Sequence, residues 1–285
     1  MLYRNFTTQE SIDAEYNLAE VIGDPSSYFE RYANESASAR SDIDCMLDVR
    51  FGPTVEETLD IFPAAQADAP ILFFIHGGYW KRMSSKEFSY VARGFVPHGV
   101  TVIVSNYALC PKVSVPEITR QARAAIAWAK TTEFAFNGDR DNINVAGHSA
   151  GGHLATRTLT TDWVNDYDLP ADTVKSAYSF SGVYDLSPLR YAFVQPALQL
   201  TDEVIRRESP LFNIPESAGP LVAEVGAQES NEFRRQSADF VNAWQAAGLE
   251  GSYVEQAGTN HFSVINDLGD PESALCERVL ASVKQ

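Results

Sequence analysis

The sequence predicts an α/β fold with a mainly parallel central sheet and helices on both faces. Three observations carry this expectation. Several short runs are apolar without a break, as strands buried on both faces are. These runs alternate with segments of helical character, the rhythm of a sheet whose crossovers are helices. The chain is also long enough, at 285 residues with 45% hydrophobic and 21% charged, to bury the core of one large domain.

Taken in order, residues 1–44 are polar and rich in Ser, Asp and Glu, with helix-like pieces around 12–21 and 27–33. They are expected to pack over the core as an N-terminal arm or part of a lid. Residues 46–51 and 58–62 read as short strands joined at Gly52-Pro53. The run 71–75 is a buried strand ending at His76-Gly77-Gly78, and 100–105 is another, followed by a helix over 116–130. A strand at 143–146 leads into Gly147-His148-Ser149-Ala150-Gly151, with a helix over 152–160 behind it. Strands at 174–180, 221–225 and 252–256 complete the series, and helices over 231–247 and 271–283 follow the last two. Residues 186–218 break the rhythm with no strand pattern and read as a cap-like insertion at the carboxyl edge of the sheet. The whole of 1–285 is expected to form a single domain.

The net charge of -16 makes nucleic acid and anionic membrane poor partners, because an acidic surface repels both. It disfavours a strongly anionic substrate mildly, since charge local to a pocket can override the global sign. The three cysteines form neither a disulfide framework nor a metal-binding spacing, which suits a reducing compartment. The N-terminus lacks the apolar run of a signal peptide, and no stretch nears the roughly 18 apolar residues of a membrane span. The expected location is cytoplasmic.

Chemistry concentrates at the glycine-flanked serine. Gly-x-Ser-x-Gly alone is weak evidence, arising by chance in about one chain in ten of this length. Here it follows a β-branched strand and opens a helix, the context in which a strained turn lifts a serine hydroxyl above the sheet edge. Ser149 is therefore the expected nucleophile. Serine needs a base, and in this arrangement the partners follow in the order Ser, acid, His. Of the five histidines only His153 and His261 come later. His153 lies four residues along on the helix behind the turn and is badly placed to reach back. His261, in a loop after the last strand, is the base by elimination and position. The acid is sought after the strand 221–225. Glu229 has the usual spacing, and Glu232, at the start of the next helix, is the alternative.

Backbone donors for a developing oxyanion are expected from Gly77 or Gly78, with Tyr79 a further candidate, and from the N–H of Ala150. Tyr79 and Trp80 are candidate walls for a planar substrate, with core packing an equal reading for such large rings. His76 reads as structural, and 106–111 as a brace for the oxyanion loop with no chemistry of its own.

At these residues the sequence resembles the hormone-sensitive-lipase-like branch of the α/β hydrolases, and most closely the kynurenine formamidase group. His76-Gly77-Gly78-Tyr79-Trp80 matches the group's HGGxW signature. Gly147 to Leu154 resembles its GHSAGAHL elbow, with Gly152 where alanine is frequent. Ser181 to Leu186 resembles its SGxYDL segment. The stretch from Glu229 to Ser237 resembles one that begins with the family's acid, normally aspartate, which supports Glu229. The likeness spans about 45–283. It implies hydrolysis of an N-formyl aryl amine of the N-formylkynurenine type through an acyl-enzyme, without metal or cofactor. A short-chain carboxylesterase of the same mechanism is the alternative, and a non-catalytic binding protein on this fold a remote one. The expected partner is a small-molecule ester or formamide substrate, with neither nucleic acid nor membrane; a homodimer is left open.

Overall fold

Eight strands form one twisted sheet in the order β1-β2-β4-β3-β5-β6-β7-β8. This computed structural model describes residues 1–283. The strands are β1 (Met46–Arg50), β2 (Thr58–Phe62), β3 (Ala69–Ile75), β4 (Thr101–Ser105), β5 (Gly138–His148), β6 (Ser176–Phe180), β7 (Leu221–Gly226) and β8 (Gly251–Gln256). Pairing is antiparallel for β1 with β2 and β2 with β4, and parallel elsewhere.

The unbroken apolar runs have a direct cause. Successive side chains of a strand point to opposite faces, and here both faces are covered. Ile71, Phe73 and Ile75 of β3 enter one core, while Leu72 and Phe74 enter the other. The first core is closed by the helices Val115–Thr131, Ala150–Leu159 and Asn231–Ala246. In Val115–Thr131 the buried residues Val115, Ile118, Ala122, Ala125, Ile126 and Ala129 repeat at helical spacing. Ser26–Asp42 and Ala274–Val283 cover the second core.

The N-terminal arm is built into the body. Its first helical stretch breaks at Asn17 into Gln9–Tyr16 and Leu18–Ile22. The second extends to Asp42, well beyond the apolar pattern, because small buried residues, Ser36 and Ala39, continue the face begun by Tyr32. Tyr16 donates to Glu232 Oε2 (2.9 Å), and its carbonyl accepts from the Tyr79 hydroxyl (2.6 Å). Tyr32 donates to the carbonyl of Phe262 at 2.5 Å. Residues 186–218 contain no strand, only short helical pieces such as Asp202–Glu208. No described helix is long and apolar enough to cross a membrane.

Candidate active site

The carboxyl ends of β3, β5, β7 and β8 open onto one crevice, where parallel α/β sheets hold their ligands. At the end of β5 the chain turns sharply into the helix Ala150–Leu159, with Ser149 at φ 57°, ψ -118°. Neighbouring glycines make room for this turn. A Cβ on Gly147 would lie 2.2 Å from the Gly151 carbonyl oxygen, and one on Gly151 would lie 2.0 Å from that of Ile75. Gly152 is equally confined, its Cβ position 2.6 Å from Ser179 Oγ. The Ser149 N–H donates to the Phe180 carbonyl at 2.7 Å, which locks the turn to β6.

His261 follows β8, and Glu229 follows β7. His261 Nδ1 and Glu229 Oε2 are 2.6 Å apart, both side chains almost wholly buried. The other carboxylate oxygen, Oε1, accepts from Ser181 Oγ (2.5 Å) and from the Gly226 N–H (2.8 Å). Glu232 faces away from this pair and holds Tyr16 and Arg235 instead. The geometry thus separates the two glutamates that the sequence leaves open. The His261 ring packs near those of His148 (4.8 Å between centroids) and Phe233 (4.5 Å). His153 is turned elsewhere, its Nε2 bonded to the Glu208 carbonyl (2.7 Å).

The loop 76–80 sits beside the serine. A Cβ on Gly77 would be 2.8 Å from the His148 carbonyl oxygen and 3.2 Å from Ser149 Cβ, so only glycine lets this backbone approach. Gly78 has φ 108°, and its carbonyl accepts from the N–H groups of Lys81 and Arg82. The first turn of the helix Ala150–Leu159 adds N–H groups that lack intrahelical acceptors. Left-handed backbone is concentrated here in residues other than glycine: Tyr79 (φ 51°), Trp80 (53°), Met83 (71°), Ser149 (57°) and Ser181 (50°). His76 stacks on Tyr107 at 4.0 Å, and burial lowers its pKa to about 4, so it is a neutral brace.

Ser149, His148, His261, Gly78 and Tyr79 line a narrow, partly open cavity of about 20 Å³, room for one or two water-sized groups. Its remaining wall is apolar: Leu18, Phe29 and Tyr32 from the arm, with Met83, Phe88 and Phe262. Among the described residues Arg82 is its one lining side chain of fixed charge. Trp80 is not in this wall; it is fully buried, edge-on to His153 at 5.0 Å. The sequence did not single out Ser181, His148 or the arm's apolar residues. Of these Ser181 and His148 had a signal, Ser181 as the first residue of the SGxYDL-like segment and His148 within the GHSAGAHL-like elbow.

The comparisons agree with this architecture. The BD-FAE family model matches residues 59–230, more than half of the chain. The kynurenine formamidase of Danio rerio is 31% identical over 252 residues, covering 86% of this chain and 84% of that protein. Esterase LipC of Mycobacterium tuberculosis is 28% identical over 235 residues, covering 75% of this chain and 58% of that protein. A solved protein from Silicibacter sp. TM1040 superposes with a TM-score of 0.85 at 28% identity, covering 96% of this chain and 99% of that one. The chain belongs to the BD-FAE family of α/β hydrolases and is a hydrolytic enzyme.

Proposed function

We propose that the chain is an arylformamidase-type serine hydrolase in which Ser149, His261 and Glu229 act as a triad. As Ser149 Oγ attacks the formyl carbonyl, His261 Nε2 takes its proton. Glu229 holds Nδ1–H and stabilises the imidazolium that forms. The N–H groups of Gly77, Gly78 and Ala150 are assigned to the developing oxyanion. His261 then protonates the departing aryl amine, and water releases formate from the formyl-enzyme.

One observation carries formyl transfer: the cavity at Ser149 is narrow, about 20 Å³, and mostly apolar, which favours a small acyl group such as formyl. Arg82 at the same cavity supplies a cation for an amino-acid-like carboxylate despite the chain's net charge of -16. The name of the Danio rerio relative points the same way. A short-chain carboxylesterase is the second reading. It is favoured by the LipC relative, and it uses the same machinery. The free thiols of Cys45, Cys110 and Cys276 accord with a cytoplasmic location.

The deciding experiment compares kcat/KM for N-formylkynurenine and p-nitrophenyl acetate, with Ser149→Ala as control. Formamidase activity predicts efficient deformylation that the control loses by several orders of magnitude. Strong ester turnover without deformylation selects the esterase. Full activity of Ser149→Ala overturns both.

A further inference from the structure

Segments far apart in the chain meet at the ring of His148. It is the last residue of β5 and is buried, with Nε2 2.7 Å from the main-chain carbonyl oxygen of His261. Gly77 packs on its other edge: a Cβ there would lie 3.2 Å from His148 Nδ1. The ring therefore spans from the base loop to the oxyanion loop, beside the serine. Elsewhere in the base loop, Asn260 Oδ1 accepts from the N–H groups of Phe262 and Ser263. The carbonyl of His261 takes its hydrogen bond from across the cavity.

We propose that His148 is a positioning residue: its Nε2–H tethers the main chain of His261 and so sets that imidazole over Ser149. The inference rests on the triad reading above. A carbonyl can only accept, so Nε2 must carry the proton. Burial, with the facing His261, holds the His148 pKa well below the ordinary value, which keeps the ring neutral. The Glu229 bond fixes one end of the His261 side chain at Nδ1. Alone, it would let the residue pivot with its loop. A second tether on the same residue's main chain removes that freedom, and small displacements of a base are costly to proton transfer.

Two variants test this. His148→Phe keeps a planar ring without the donor, and His148→Gln keeps an N–H donor. The readouts are kcat and KM for p-nitrophenyl acetate, the melting temperature, and the downfield proton resonance of the His261–Glu229 bond. The Phe variant is expected to lose about 10²-fold in kcat with KM within about threefold, and to shift or broaden the resonance. The Gln variant should recover about tenfold of that loss. A Phe variant within about threefold of wild type in kcat, or a Gln variant as slow as Phe, overturns the proposal. If the Phe variant does not fold, Gln is compared with the shorter His148→Asn: faster turnover by Gln supports the tether, and equal rates refute it. Ser149→Ala keeps the two questions apart, because its retaining ester hydrolysis would remove the triad reading whatever His148 does.

Discussion

Replacing Glu229 by glutamine tests the assignment of the acid most directly, because the carboxylate accepts on both oxygens. Oε2 faces His261 Nδ1, and Oε1 accepts from Ser181 Oγ and the Gly226 N–H. An amide has one acceptor oxygen to offer. If that oxygen faces His261, the NH2 group meets the Gly226 N–H, and a buried donor loses its partner at a cost of about 1–3 kcal/mol in stability. If the NH2 group faces His261 instead, Nδ1 must present a lone pair. The ring proton then moves to Nε2, the nitrogen that has to accept from Ser149. In both orientations the negative charge that stabilises the imidazolium is gone. By analogy with other triads, kcat/KM should fall about 10³–10⁴-fold, or about 4–5 kcal/mol of transition-state stabilisation. The assay is p-nitrophenyl acetate hydrolysis, with circular dichroism melting to confirm the fold. Glu232→Gln is the matched control. It weakens the bonds to Tyr16 and Arg235, so it should lower the melting temperature while kcat/KM stays within about tenfold. Activity of Glu229→Gln within about tenfold of wild type, or a collapse confined to Glu232→Gln, would refute the assignment.

Three further outcomes are expected. Gly152→Ala would place a Cβ 2.6 Å from Ser179 Oγ, a hydroxyl already held by Tyr184, and should destabilise by about 1–3 kcal/mol in thermal melts; an unchanged melting temperature would contradict that packing. Tyr32→Phe strands the buried Phe262 carbonyl and should cost about 1–3 kcal/mol, measurable by urea denaturation. His76 and His153, both with pKa lowered to about 4 by burial, give a signed pH dependence. Between the unfolded value of about 6.5 and the folded value near 4, the unfolded chain binds more protons, so stability falls as pH falls. Each contributes a loss on the order of 2–3 kcal/mol by about pH 4.5; calorimetric melting temperatures that stay flat from pH 7 to about 4.5 would exclude it.

What could be read in the sequence follows from the range of the forces involved. Inner strands such as β3 and β4 were legible because burial on both faces leaves an unbroken apolar run, whereas the partly exposed edge strands β1 and β8 were read from a neighbouring turn and from their place in the alternating series. That Ser149 stands at the end of β5 and His261 in the loop after β8 was legible because strand ends fix where loops open. Spacing and the resemblance favoured Glu229 but left Glu232 as an alternative, since only the fold decides that Glu232 turns toward Tyr16. Contacts made across the chain left no local trace. His148 meets His261 across 113 positions, and Tyr32 meets Phe262 across 230. Trp80 shows the opposite difficulty: a large ring beside a functional loop reads equally as wall or core, and this one lies in the core against His153.

The left-handed residues around the cavity have a consequence for descent. Tyr79, Trp80, Met83, Ser149 and Ser181 each hold a backbone conformation that glycine adopts more easily, at roughly 1–3 kcal/mol apiece. At Ser149, whose small side chain fills little of the core, a lineage released from hydrolysis could gain stability by drifting to glycine, whereas at Tyr79 and Trp80 the loss of a buried ring outweighs that gain. On the proposed triad, the Ser149 side chain is kept against a thermodynamic slope, so glycine at this position in a descendant would mark lost catalysis.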